Sequence, residues 1–320
     1  MTEARSYHGQ PVIKQPVWTW EIPTYFFTGG LGGASAGLAY LAQWRGNDVL
    51  ARRAWSGALA GVAVSPMLLT SDLGKPLRFV NMLRMFKVTS PMSVGSWLLT
   101  ATGAATGVAA ADAWTGRLPR SGAVARPAAA LLGLPLSTYT AALIANTAVP
   151  VWHEARSMLP FVFASGAALS AGAAAVALTP PDHAAPARRL ALGGAAAEVV
   201  LEQLMEKRLG DLAAPYEEGT SHTLSRLAQA CLLAGSAMVA WGAGRSRRAS
   251  AAGGAVMAAG ALSARWSVFK AGFASAADPG QVVGPQRAAI ERGERRGAAR
   301  GHARVSAPDP ARGSPATSVY

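Results

Sequence analysis

The chain is short of the residues that build metal centres and cross-linked frameworks. Its 320 residues include one cysteine, Cys231, and five histidines. A lone cysteine excludes a disulfide framework, a zinc ribbon and any cysteine-ligated iron–sulfur cluster within the chain. Charge is scarce as well: 15% of residues are charged, against about 25% in an ordinary soluble domain. That deficit argues against a freely soluble enzyme of this size. The charge is also lopsided, with 30 Lys and Arg against 17 Asp and Glu, a net charge of +13. An excess of that sign raises the question of nucleic acid. The basic residues sit in clusters between apolar runs rather than on one face, so nucleic acid is not the expected partner.

Half the chain is hydrophobic, 51%, and much of that is alanine set among glycine. A helix that crosses a bilayer needs about 20 mainly apolar residues. Eight runs qualify, at 23–43, 54–71, 92–112, 127–149, 157–178, 189–208, 223–244 and 250–272. The expected fold is therefore all-α, an integral membrane bundle of eight transmembrane helices. The domain order is an N-terminal interfacial segment (1–22), an eight-helix domain (23–272) and a polar basic tail (273–320), largely disordered beyond about residue 290. The basic stretch from Arg287 to Arg304 in that tail suits contact with anionic lipid or a partner subunit, or simple solvation. Residues 1–22 are polar, hold Glu3, Glu21 and two prolines, and show no apolar core of a signal peptide. Gly29, Gly33 and Gly37 fall four apart on one face of the first run, where small residues let membrane helices approach closely.

Eight spans put both ends of the chain on one side, called side B. Side A loops carry 11 arginines and side B loops before the tail carry 10 basic residues, so the positive-inside rule barely votes. Side A loops are shorter and almost purely basic, which leans towards A being cytoplasmic. The seven arginines of the tail weaken that lean.

The loop after the second run reads Asp72-Leu-Gly-Lys-Pro-Leu-Arg78-Phe-Val-Asn-Met-Leu-Arg-Met-Phe-Lys87 and then Ser90-Pro-Met-Ser. Phe79, Met82, Leu83 and Phe86 recur at helical spacing, with Arg78, Arg84 and Lys87 between them. This predicts a short amphipathic helix lying in the membrane interface, fit to wall an entry for an amphiphilic small molecule. Trp18, Glu21 and Tyr25 open the first run on side B, and Asp72 and Arg78 close the second on the same side. Asp72 and Arg78 read equally as an ion pair fixing the turn, and Trp18 and Trp20 as anchors of an aromatic belt. Tyr139 lies in the fourth run, some ten residues from its side B end.

The chain resembles the NrfD/PsrC family, the quinone-reactive membrane subunits of polysulfide reductase-like oxidoreductases. The Asp72–Arg78-Phe79…Ser90-Pro-Met-Ser-Val-Gly-Ser-Trp97 string carries the resemblance. Trp18-Thr-Trp-Glu21-Ile-Pro-Thr-Tyr25, Pro135-Leu-Ser-Thr-Tyr139, Pro150-Val-Trp-His-Glu-Ala-Arg156 and Ala271-Gly-Phe-Ala-Ser-Ala-Ala-Asp278-Pro agree with it. The likeness covers about residues 16–287. It implies an eight-helix bundle in the cell inner (plasma) membrane that binds a quinone, menaquinone or ubiquinone, near one surface and holds no haem or iron–sulfur cluster. The implied partners are a four-cluster iron–sulfur subunit and, beyond it, a molybdopterin catalytic subunit, with membrane lipid around the bundle. The positions that hold menaquinone in relatives fall here on Glu21, Tyr25 and Tyr139, although some relatives carry Asn and His at the first-helix places.

Quinone chemistry moves electrons together with protons, so a site needs donors to the ring oxygens and a carboxylate to relay protons. Tyr139 is the candidate donor, Glu21 and Asp72 are the candidate relays, and Trp18, Tyr25 and Arg78 are candidate ring or head-group contacts. Glu198, Glu202 and Glu206 recur every four residues on one face of the sixth run. A charge at the bilayer centre costs about 2.5–3.5 kcal/mol, so such residues face the bundle interior, pair with a cation or stay protonated. Glu198 and Glu202 divide between a proton route and structural hydrogen bonding, with Arg265 a plausible partner. Glu206, beside Lys207 and Arg208, reads as a surface pair.

Three other readings compete. A dihaem anchor needs histidines facing each other inside spans, and His8, His153, His183, His222 and His302 lie outside them or at their edges. An eight-span transporter would show an internal repeat, and none is visible between 1–150 and 151–272. A purely structural anchor without quinone chemistry would be expected to have replaced Tyr139 or Asp72, and both are present.

Overall fold

The computed structural model describes residues 12–72, 78–243 and 245–291. Eight long helices account for most of them, and no strand occurs among the described residues. They are α1 (Glu21–Trp44), α2 (Asp48–Asp72), α3 (Pro91–Thr115), α4 (Pro119–Ala145), α5 (Leu159–Leu178), α6 (Ala185–Leu209), α7 (Gly219–Gly242) and α8 (Arg247–Ala277). The start signals are local. The Ser90 hydroxyl accepts from the Ser93 amide with Pro91 in the first turn, and the Ser246 hydroxyl accepts from Ala249, each meeting a donor that the first helical turn leaves unpaired. Gly116 ends α3 in the left-handed region, φ 64°, where a side chain would be strained.

Five helices are long and apolar enough to cross a membrane among the described residues, α2, α3, α4, α5 and α7. The other three carry what the apolar runs understate. α1 holds five glycines. α6 holds Arg188, Arg189, Glu198, Glu202, Glu206, Lys207 and Arg208. α8 holds Arg247, Arg248, Arg265 and Lys270. The outer faces of the bundle are apolar: Leu131, Phe161 and Leu233 are 69%, 60% and 75% exposed. A surface of that kind belongs in lipid.

Several boundaries differ from those expected. The fourth apolar run spans 127–149, whereas α4 begins eight residues earlier at Pro119 and ends at Ala145. Pro127, which looks like a start signal, lies inside the helix, as does Pro135. Membrane helices accommodate proline because neighbouring groups satisfy the freed carbonyls. After a turn the chain makes a short helix, Pro150–Glu154. The amphipathic helix of the first long loop spans only Arg78–Met82. Beyond Met82 the Ser93 hydroxyl donates to the Met85 carbonyl and accepts from the Lys87 amide, at 3.1 and 3.0 Å, pinning non-helical backbone there. At the far end α8 runs to Ala277 and a further helix spans Pro279–Glu291. The expected disordered part of the tail, like residues 1–11, lies outside the described residues.

The interior has two characters. Towards the α1 start, the core is aromatic and bulky, built on Tyr25, Phe26, Trp152, Phe163 and Phe269. Towards the α1 end it is alanine-rich around Trp55. Glycines set the helix spacing. A Cβ on Gly33 would collide with the Gly133 carbonyl and the Ser137 hydroxyl, and one on Gly61 would collide with the α1 backbone at Gly32. Of the three glycines on one face of α1, Gly29 lies under the Tyr25 ring, Gly33 meets α4, and Gly37 faces open space.

Candidate functional site

At the aromatic end, the start of α1, the end of α2, the Arg78–Met82 helix, the start of α3 and the end of α4 converge on one small cavity. Trp18, Asp72, Phe79, Met92, Ser96 and Tyr139 are on its wall. These segments are thus neighbours in space.

Tyr139 is the central group. Its hydroxyl hydrogen-bonds that of Tyr25, and the two rings meet edge to face, 6.3 Å between centroids. Either hydroxyl can donate. With Tyr25 donating, the Tyr139 proton is left for a ligand in the cavity. The ring fits against α3 because position 95 is glycine: a Cβ there would fall on the Tyr139 ring. Tyr139 sits six residues from the end of α4 at Ala145, about 9 Å of helix rise. It is shallower than the ten-residue depth expected, because α4 ends earlier.

Asp72, Thr19 and Glu21 form a second group. The Thr19 hydroxyl donates to a Glu21 carboxylate oxygen and lies 3.2 Å from Asp72 Oδ1. One hydroxyl carries one proton, so it serves one carboxylate at a time. Two carboxylates facing a single hydroxyl is an arrangement through which a proton can pass. Trp18 packs on Trp152, 5.8 Å between ring centroids and 25° between planes. The Trp152 Nε1 donates to the Val268 carbonyl at 2.9 Å, and Gly272 leaves the space its indole occupies.

The expected residues are thus only partly brought together. Trp18, Asp72 and Tyr139 line the cavity. Tyr25 does not; it stands fully buried behind Tyr139. Glu21 reaches the group through Thr19 rather than lining the cavity. Arg78 is exposed on its short helix and is not on the cavity wall. Sequence reasoning passed over Ser96, Met92, Thr19 and Gly95. Gly95 had a signal in the Ser-Val-Gly-Ser string, but what it accommodates lies 44 positions away in sequence.

A separate set of charges lies in the middle of the bundle. Arg265 Nη2 is 3.4 Å from Glu198 Oε1, both side chains buried, and it donates to the Val162 and Phe163 carbonyls at 3.2 Å. The guanidinium also stands 4.3 Å from the centre of the Phe163 ring. Gly166 leaves the hole they fill, since a Cβ there would overlap both groups. Among the described residues neither Glu198 oxygen has a hydrogen-bond partner. Glu202 and Glu206 follow along the same face of α6, about 6 Å of rise apart, towards the buried Tyr216. Burial pushes the Tyr216 hydroxyl up from its ordinary pKa, and the carboxylates of Glu202 and Glu206 push the same way. His222 Nδ1 lies 3.2 Å from the Tyr216 carbonyl. A second ion pair, Arg126 with the buried Asp112, joins α4 to α3 at the opposite end, with Gly122 making room for the carboxylate; neither residue stands out in the sequence.

A family model described as polysulfide reductase, of the NrfD type, matches residues 5–277. No curated protein matches the chain.

Proposed function

We propose, from the premise that the chain belongs to the polysulfide reductase (NrfD) family, that it exchanges electrons between the membrane quinone pool and an iron–sulfur subunit while anchoring the complex. Membership makes it a multi-pass membrane protein and a membrane subunit of an oxidoreductase complex. The finer reading takes all eight long helices as spans. It takes menaquinone or ubiquinone as the ligand, and a four-cluster iron–sulfur subunit leading to a molybdopterin subunit as the partners at the aromatic end.

The observation that carries this reading is the Tyr139 hydroxyl on the wall of a cavity that also presents Asp72. The donor set fits a quinone: a hydroxyl for a ring carbonyl, a carboxylate for the proton, and an indole, Trp18, for the ring face. The cavity, about 50 Å³, is smaller than the roughly 300–1,000 Å³ of ligand sites. A ring therefore enters by displacing Phe79, Met82 and Met92, and two of these are unbranched, adaptable methionines. A bound quinone supplies a two-electron, two-proton couple. The chain's residues supply the rest. Tyr139 orients a carbonyl, Tyr25 holds the Tyr139 hydroxyl, and Asp72 passes a proton by way of Thr19 and Glu21. Glu198 and Glu202 form a proton route from mid-bundle to the same end. The burial of Glu198 beside Arg265, with no hydrogen bond to either oxygen among the described residues, supports that role.

Tyr139→Phe tests the site, since it removes the hydroxyl and keeps the ring. A lost hydrogen bond is worth about 0.5–1.5 kcal/mol, more when it leaves a buried group unsatisfied. Quinone-linked turnover of the assembled complex should fall threefold to tenfold or more, while reduction of an artificial acceptor by the catalytic subunit is unchanged. Equal loss of both activities would assign Tyr139 to assembly instead.

A further inference from the structure

A cavity larger than the one described above lies away from it, at the alanine-rich end. It is an open groove of about 910 Å³ between α1 and α4 on one wall and α5 and α6 on the other. Its floor is made of small residues, Ala34, Gly37, Ala164 and Ala168 among them. Gly37 leaves it open, with no atom within 4 Å of where a Cβ would stand. From Ala34 to Arg45 the groove follows α1 for about 16 Å, about half of a ~30 Å hydrocarbon core and so one leaflet. Two arginines, Arg45 and Arg189, stand at its mouth. Neither has a carboxylate partner among the described residues. Arg45 lies 5.6 Å from the centre of the Trp44 ring, and Trp44, 71% exposed, is placed as an interfacial anchor.

The polar groups inside the groove are already committed. The Ser137 hydroxyl donates to the Gly133 carbonyl at 2.8 Å and that of Thr138 to the Pro135 carbonyl at 3.4 Å. Asn47 donates to the His183 carbonyl and accepts from the Leu50 amide. The depth is therefore apolar in effect, and the mouth is cationic. That arrangement suits a ligand whose tail is hydrocarbon and whose charge is negative and sits at the membrane surface. It does not suit a quinone ring, which needs donors at depth.

We infer that this groove binds an anionic phospholipid, its phosphate between Arg45 and Arg189 and one acyl chain along the α1 face to Ala34. The lipid fills the space between the two helix pairs and ties α6 to α1 through its head group.

The test is native mass spectrometry of the detergent-purified protein, titrated separately with dioleoylphosphatidylglycerol and dioleoylphosphatidylcholine. The expected result is preferential retention of phosphatidylglycerol. An arginine near an anionic head group is worth about fivefold, so the Arg45→Gln, Arg189→Gln double variant should lower that preference about twentyfold. Gly37→Leu, whose Cβ would meet no atom within 4 Å, puts a bulky side chain into the groove and should lower retention of both lipids. Arg117→Gln with Arg120→Gln, at the same end but outside the groove, should leave the preference unchanged. An unchanged preference in the Arg45/Arg189 variant, an equal loss in the Arg117/Arg120 variant, or full retention by Gly37→Leu would overturn the assignment. So would finding a quinone, or a second copy of the chain, as the species that Gly37→Leu displaces.

Discussion

At the residue scale, the Glu198–Arg265 pair shows how closely a polar contact inside the bundle is fitted. The pair exists because Gly166 gives it room and two backbone carbonyls share the guanidinium. Taking away one partner leaves the other charge buried and uncompensated, at a cost of about 3–5 kcal/mol, whereas replacing both by apolar groups is often close to neutral. Glu198→Leu and Arg265→Leu should therefore each lower the unfolding temperature in detergent, and the double variant should recover most of the loss. A double variant as unstable as the sum of the singles would mean the two groups are not coupled. Stability and function separate here. If Glu198 carries protons, the recovered double variant still lacks quinone-linked proton uptake.

At the scale of elements, α4 carries both the site tyrosine and one wall of the lipid groove, on successive residues, Tyr139 and Thr138. Its position is fixed by the crossing with α1, where Gly33 and Gly133 meet backbone to backbone. Gly133→Val forces the helices apart; overpacking of this kind costs about 1–3 kcal/mol. The Tyr25–Tyr139 hydroxyl contact, one turn or two further along, should be lost with it. Thermal unfolding in detergent and quinone-linked turnover should both fall, and turnover should fall further than for Tyr139→Phe. Unaltered turnover would show that the crossing does not position Tyr139.

The legibility of these elements in the sequence was uneven for physical reasons. Apolar length located every long helix, because a run of about 20 apolar residues has few other uses. It started α4 eight residues late, because Arg120 and Arg126 interrupt the apolar run in the first turns of the helix. The spacing of Phe79, Met82, Leu83 and Phe86 suggested a longer amphipathic helix than Arg78–Met82, because periodicity does not register the Ser93 hydroxyl that holds the next turn open. Tyr139 and Asp72, which line one cavity, stand out in the sequence from their local strings. The Tyr25–Tyr139 contact and the small space left by Gly95 do not, because each joins positions far apart in the chain.

At the scale of the whole molecule, eight long helices joined in sequence predict loops that alternate between the two membrane surfaces. Single cysteines placed in a Cys231→Ser background make this measurable. Residues 48, 118, 182 and 245 should label from one side and residues 87, 154 and 218 from the other. A mixed pattern would reduce the count of spans towards the five helices that are apolar enough on composition alone.

The buried pair also bears on how the chain enters a membrane. Glu198 is made 67 residues before Arg265, so during synthesis α6 reaches the bilayer without its cation. Each uncompensated charge there costs about 2.5–3.5 kcal/mol, and α6 is not apolar enough to offset several of them. If α6 spans the membrane, its polarity should make its integration depend on α8. A chain halted between Gly242 and Arg265 should then leave a cysteine placed in α6 accessible to a water-soluble thiol reagent, whereas the full-length chain shields it; equal protection in both would show that α6 integrates without its cation.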